Sequence, residues 1–363
     1  MLAASHFVAF LVGVAIVLAT WQSIIVTIIL PRRSRNWISL CGWVTTYETL
    51  TWLARRARDP LRKDAILALL GPVNIVGLLF TWMALFAVGF AFLMWAAGGG
   101  RFAESFDLAG SSIFTLGFAT GKSPFSHFLM DAAAASGMIV VGLQIGYLPT
   151  IYGAYHAREA HVTLLTMRAA DGSILTGPSV LRNHPLPLSA DLVRNLFSSW
   201  EISAAEIIES HTNYPWLIAF RSPRATESWV TSMLAVLDTI SLLDALAPTI
   251  VPPEAEHCRF ACASTLQVLS RLLVSQPREA SERVAPISRD EFIAAVDSLR
   301  SYLPFDREPA AAWPLFCASR AFYEDAALKL AAYIMIPTPP EGWLRPLAEP
   351  NVETVAMPAV STS

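Results

Sequence analysis

The sequence predicts an all-α membrane protein: three transmembrane helices, a re-entrant loop between the second and third, and a helical cytoplasmic domain after them. Three observations carry this. Of 363 residues, 54% are hydrophobic and only 15% are charged, where a soluble domain carries about 25% charged residues. The apolar residues are concentrated in three long runs before position 156, while Arg, Glu, Asp and Pro return at ordinary frequency after it. The stretch between the second and third runs is too apolar for a solvated loop and too short to cross a bilayer. A net charge of −3 and a pI near 6.2 give no sign of the strongly basic face that a nucleic-acid partner requires, so that class is set aside.

The first run, Phe7 to Leu30, is free of charge. At about 1.5 Å per residue it reaches about 36 Å, more than a hydrocarbon core of about 30 Å. No basic residue precedes it, and it is longer than the roughly 7 to 15 residues of a signal-peptide core, so residues 1–30 read as a retained transmembrane helix. Residues 31–64 read as a basic linker, with Arg32, Arg33, Arg35, Arg55, Arg56, Arg58, Arg62 and Lys63 against Glu48, Asp59 and Asp64. An excess of Lys and Arg marks the cytoplasmic side, which places the N-terminus outside. The second run, Ala65 to Gly100, then crosses outward, with Trp95 at the outer interface. The third, Phe128 to Tyr155, returns inward and leaves the C-terminus in the cytoplasm of a multi-pass cell-membrane protein.

Between the last two spans, residues 102–121 read as a re-entrant segment. A short helix is expected from about Ser105 to Phe114, with Glu104 and Asp107 near its positive end. Non-helical backbone at membrane depth is tolerated where it is buried in protein or lines a water-filled path, since a carbonyl facing lipid costs several kcal/mol. A span, a short helix, Thr115-Leu116-Gly117-Phe118-Ala119 and a further span resemble the pore module of the tetrameric potassium channel family, whose filter typically reads Thr-Val-Gly-Tyr-Gly-Asp. The resemblance covers about Gly71 to Tyr155, under a quarter of the chain, and makes residues 65–155 a channel-like pore module of outer helix, pore helix, filter and inner helix. It implies a homotetramer that conducts monovalent cations passively, with K⁺ as permeant ion and no cofactor. It also implies that Thr115, Leu116, Gly117, Phe118 and Ala119 form the selectivity filter, the carbonyls of the first four and the Thr115 hydroxyl replacing the water around a bare K⁺.

Three departures accompany the match. Leu116 and Phe118 are mild replacements. Ala119 stands where the family has its second glycine, and a left-handed backbone there would cost a non-glycine residue about 1–2 kcal/mol. Thr120 replaces the outer acid and Lys122 follows it, so a weakly selective or non-conducting pore is also consistent with the sequence.

In the third span, Gly137, Gly142, Gly146 and Gly153 keep one side small, and Gly142 and Gly146 have the spacing of close helix pairing. Gly137 or Gly142 serves either as a hinge of the inner helix or as a packing contact. Gln144 is the strongly polar residue at mid-span, and Asp131 near the outer end is either a cation-attracting group or a plain interfacial carboxylate.

Residues 156–337 read as a helical cytoplasmic domain and 338–363 as a disordered tail. His161 to Ser179 reads as a hairpin or an irregular linker. Helices are expected from Ser189, from the capping spacings Ser203 to Glu206 and Ser288 to Glu291, and over Trp229–Ala247, Glu254–Val274 and Trp313–Ile336. Ser228 to Val251 is nearly apolar enough to span. Asp238 and Asp244 would each cost about 2.5–3.5 kcal/mol near a bilayer centre, so this segment is expected as a buried helix of the soluble domain. His156 and His161 flank Glu159 and read as solvated polar residues. Cys41, Cys258, Cys262 and Cys317 read as reduced, buried thiols; Cys258 and Cys262 lack the second pair that a zinc site needs, so no metal is expected. No enzyme signature is present, and the chain is not expected to be an enzyme. The competing reading is a non-conducting membrane sensor or scaffold whose helical domain binds a cytosolic protein.

Overall fold

The computed structural model describes residues 2–30, 36–98, 100–169, 175–186, 189–224, 227–273 and 287–336, and its elements there are all helical. The chain divides into two compact units, Met1–Gly153 and Ala154–Ser363. Among the described residues, four helices are long and apolar enough to cross a membrane, and three of them lie wholly or mostly in the first unit.

In the first unit, α1 (Leu2–Ile24) ends in a π-helical turn, Ile25–Ile29. α4 (Leu70–Gly98) packs along α1. The two backbones approach closely where Gly13 faces Gly89: a Cβ on Gly13 would meet the Gly89 carbonyl oxygen at 2.8 Å. The Trp82 indole, fully buried on α4, donates to the Ser23 hydroxyl at 2.9 Å, so the polar atom that this large side chain carries inward is satisfied. A short helix, α5 (Phe102–Ile113), leans on α4. The first part of α6 (Pro124–Ala169) closes the core, in which Ala109 and Ile113 of α5 meet Leu129, Ala133 and Val140 of α6 and Phe86 and Phe90 of α4.

The basic segment read as a linker is helical in its described part. α2 (Trp37–Arg56) starts at Asn36, whose side chain accepts from the Ile38 amide, and α3 (Pro60–Ala68) starts at Asp59, which caps Leu61 in the same way. Both are N-caps of ordinary chemistry. α2 buries Ile38, Trp43, Tyr47, Thr51 and Ala54 and packs on α4. Pro31 to Arg35 lie outside the described residues.

The third apolar run continues well past Tyr155. α6 is 46 residues long, about 69 Å, and its residues 154–169 belong to the second unit. His161 to Ala169 are therefore helical and form neither hairpin nor linker; Asp171 and Gly172 lie outside the described residues. Pro149 sits inside α6 and removes the hydrogen bond that the Ile145 carbonyl would accept.

In the second unit, α9 (Trp229–Leu246) is surrounded by α7 (Gly177–Asn183), α8 (Ala190–Asn213), α10 (Glu254–Ser270), α12 (Pro309–Arg320) and α13 (Glu324–Tyr333). Length and composition alone would let α9 cross a membrane, yet its own neighbours bury nearly all of it. Its two acids have partners: Asp238 accepts from the Tyr323 hydroxyl at 2.8 Å and lies 3.4 Å from Arg320, and Asp244 pairs with Arg259. The burial expected of this segment is built in this way.

Two capping expectations part company. Ser288 and Glu291 form the reciprocal box that starts α11 (Arg289–Asp297). Ser203 starts nothing; it lies buried in the middle of α8. Cys258 and Cys262 are buried with sulfurs 3.9 Å apart, and Cys317 is buried too, but Cys41 on α2 is exposed, against the expectation. The tail from 338 onward lies outside the described residues.

Candidate pore segment

α5 covers Phe102–Ile113, three residues earlier than expected at its start, and its chain end is a complete C-terminal cap. The Thr115 amide donates to the Ser112 carbonyl at 3.0 Å and the Leu116 amide to the Ser111 carbonyl at 2.8 Å. These are the two bonds of a Schellman cap, whose first residue beyond the helix end takes a left-handed backbone and is usually glycine. Here that residue is Thr115, at φ 53°. Gly117 follows with φ 72°.

The amides that come next are also held. Gly117 N–H reaches the Ser111 carbonyl at 3.4 Å, and Ala119 N–H donates to the Ser111 hydroxyl at 3.1 Å. Ser111 is buried, so a single residue of α5 fixes three amides of the turn. The carbonyls are treated differently: no hydrogen bond from a described residue reaches the oxygens of Thr115, Leu116, Gly117 or Phe118. The segment 114–118 is exposed on the isolated chain, and Leu116 and Phe118 carry their side chains outward. Beyond it, the Gly121 amide rests on the Met130 sulfur at 3.2 Å, and Ser123 and Ser126 cap each other at the start of α6.

The structure moves the strain that the sequence suggests. Ala119 does not have a positive φ; the non-glycine residue that does so in this turn is Thr115. The physical reason is the cap, which places the left-handed residue directly after the helix end and not four residues later. A substitution of Ala119 by glycine thus has no strain to relieve.

Of the two α6 glycines expected as a hinge or a packing contact, Gly137 has a fixed use. A Cβ there would stand 2.3 Å from the Ile113 carbonyl oxygen, so the missing side chain lets the end of α5 seat against α6. Gly142 and Gly146 have nothing within 4 Å of an added Cβ. Gln144 faces inward and donates to the Ile75 carbonyl of α4 at 3.3 Å, which ties two long helices together at a polar point. Asp131, Thr120 and Lys122 are exposed.

One cluster escaped the sequence reading. Glu159 is buried, not solvated, and pairs with the equally buried Arg158 at 2.7 Å. The Arg158 guanidinium also donates to the carbonyls of Leu217 and Phe220, at 3.0 and 2.8 Å, and to His211 Nε2 at 2.9 Å. Arginine only donates, so His211 is neutral with its proton on Nδ1, beside the Ser210 hydroxyl at 3.0 Å. Burial, aided by the Arg158 charge, holds the His211 pKa well below the ordinary histidine value. The one trace of this cluster in the sequence is the adjacent Arg-Glu pair in α6; its partners lie more than 50 residues away.

Comparison of the chain with protein families, curated proteins and solved structures returns no match.

Proposed function

We propose that the chain is an integral membrane protein that conducts monovalent cations, K⁺ first among them, through a pore built by four copies. α1, α4 and the first part of α6 would span the bilayer, with the N-terminus outside and the second unit in the cytoplasm. The turn 115–119 would line the narrow part of the path.

The observation that carries this reading is the unequal treatment of the turn's polar groups. The amides of Leu116, Gly117 and Ala119 are bonded inward to Ser111 and that of Thr115 to Ser112, while four successive carbonyls receive no hydrogen bond from a described residue. A cation needs oxygens in place of its lost water, and a turn that spends four of its donors internally and presents its acceptors supplies them. The strain at Thr115 points the same way: a left-handed threonine costs about 1–2 kcal/mol relative to glycine, and such strain concentrates at functional positions. The hydroxyl of Thr115 offers a fifth oxygen at the same place. Gly137 supports the arrangement by letting α5 approach α6 and so fixing where the turn begins.

The test is K⁺ flux into liposomes holding the purified chain, with Gly117→Asp alongside. Aspartate at a left-handed position beside four carbonyls adds both strain and a bound charge. Flux from the wild type and its loss in the variant, with both proteins eluting at the same oligomeric size, supports the reading. Equal flux from both ends it.

A further inference from the structure

We propose that α2 and α3 form a docking surface for anionic phospholipid headgroups. The inference rests on α1 and α4 being membrane spans, and it is independent of whether ions pass.

The placement follows from connectivity. α1 and its π-turn end at Ile29, and α4 begins at Leu70, directly after α3. A segment joining two spans within so few residues is held at the surface of the leaflet where those spans end. α2 packs its apolar side on α4 and still leaves large apolar groups uncovered: Trp37 is 67% exposed, Trp52 54% and Leu61 70%. Water is a poor environment for these side chains. The headgroup region accepts them, because an indole or leucine there buries its hydrocarbon while the polar groups beside it stay wet.

Charge selects the kind of lipid. Arg55, Arg56, Arg58, Arg62 and Lys63 stand against Asp59 and Asp64 over ten residues. Asp59 is already engaged, as the cap of α3 and beside Arg62 at 4.0 Å. No described residue makes a hydrogen bond or ion pair with Arg55, Arg56 or Arg58. In the second unit, by contrast, Arg158, Arg259, Arg300 and Arg307 all meet acids or carbonyls. The Arg56 guanidinium lies 3.3 Å from the centre of the Trp52 ring. Stacking of this kind holds the guanidinium plane and leaves its edge, with the N–H donors, available to a phosphate. A basic cluster next to a span, interleaved with exposed tryptophan, is the arrangement that binds anionic lipid in preference to zwitterionic lipid.

The test is quenching of tryptophan fluorescence in proteoliposomes of the full chain by brominated phosphatidylglycerol and by brominated phosphatidylcholine. Trp52→Phe isolates the Trp52 signal by difference. The wild type is expected to favour phosphatidylglycerol around Trp52. Each exposed arginine removed is expected to lower that preference about fivefold at low salt, so Arg55→Gln, Arg56→Gln and Arg58→Gln together should lower it at least tenfold. High salt should weaken it too. Equal quenching by the two lipids in the wild type, or an unchanged preference in the triple variant, overturns the proposal. Carbonate extraction separates the two failures: a chain released from the vesicles refutes the membrane reading, and a chain that stays without lipid preference refutes only the docking surface.

Discussion

Replacing Gly137 by alanine would set a methyl group 2.3 Å from the Ile113 carbonyl oxygen, where ordinary contact begins at 3.4 Å. The end of α5, or the backbone of α6, must then move by about 1 Å. Overpacking of this size costs about 1–3 kcal/mol, while alanine gains about 1 kcal/mol over glycine inside a helix. Gly142→Ala gains the same helix term with open space around the new methyl. The difference between the two variants therefore isolates the steric cost, and Gly137→Ala should be the less stable of the pair by about 1–3 kcal/mol. Unfolding of the purified chains in detergent, followed by loss of helical circular dichroism, measures it. Ile113 lies two residues before Thr115, so Gly137→Ala should also lower K⁺ flux by moving the carbonyls out of register. Gly142→Ala tests the hinge separately: lower flux with higher stability marks a bending point, and unchanged flux marks a passive surface. Equal stability of the two variants would refute the packing argument for Gly137.

The remaining predictions concern the turn and the second unit. Thr115→Gly should stabilise the chain by about 1–2 kcal/mol, whereas Ala119→Gly should bring no gain; the same unfolding assay decides both. Ser111→Ala removes the hydroxyl that holds the Ala119 amide, and should cost about 1 kcal/mol and reduce flux. For pH, His211 stays neutral when folded, so below about pH 6.5 the unfolded chain binds a proton that the folded chain does not. Stability should then fall on acidification by up to about 1.4 kcal/mol per pH unit from this group. Asp238 acts in the opposite sense. Burial raises its pKa to about 6, against the pull of Arg320, so the folded chain takes up the proton first and this group adds stability as pH falls from about 6 toward 4, by about 3 kcal/mol in all. His211→Gln should therefore lose less stability between pH 7 and pH 5 than the wild type, and Asp238→Asn more. Identical pH profiles for all three chains would show that neither group titrates as its burial demands.

Several elements were legible before any coordinates. α1 and α4 follow from charge-free runs and the first two thirds of α6 from a run that holds one acid, Asp131, and the start of α11 follows from Ser288 and Glu291, because a cap is a contact between residues three apart. The same spacing at Ser203 misled, since it lies inside α8, which is already running from Ala190; a capping pair has meaning only where a helix begins. α2 and α3 were hidden behind their charge, which announces a side of the membrane and says little about a helix that packs Trp43 and Tyr47 inward. The position of the turn was legible as well, but its strain was assigned to Ala119 by the family's glycine pattern, whereas the cap on α5 puts it at Thr115.

The sequence by itself determined that this chain carries three apolar runs in a fixed order, with a short helix and a glycine-bearing turn before the last. Transfer of a run into an apolar medium is a sum over neighbouring residues, and a sum of that kind can be read along the chain. Only the tertiary structure decided which carbonyls are bare, why Gly137 must lack a side chain, and that Arg158 and Glu159 are buried together. Each of these depends on a partner elsewhere in the sequence, such as Ile113 for Gly137 or Leu217, Phe220 and His211 for Arg158, brought within hydrogen-bond or van der Waals reach by packing that no local pattern records.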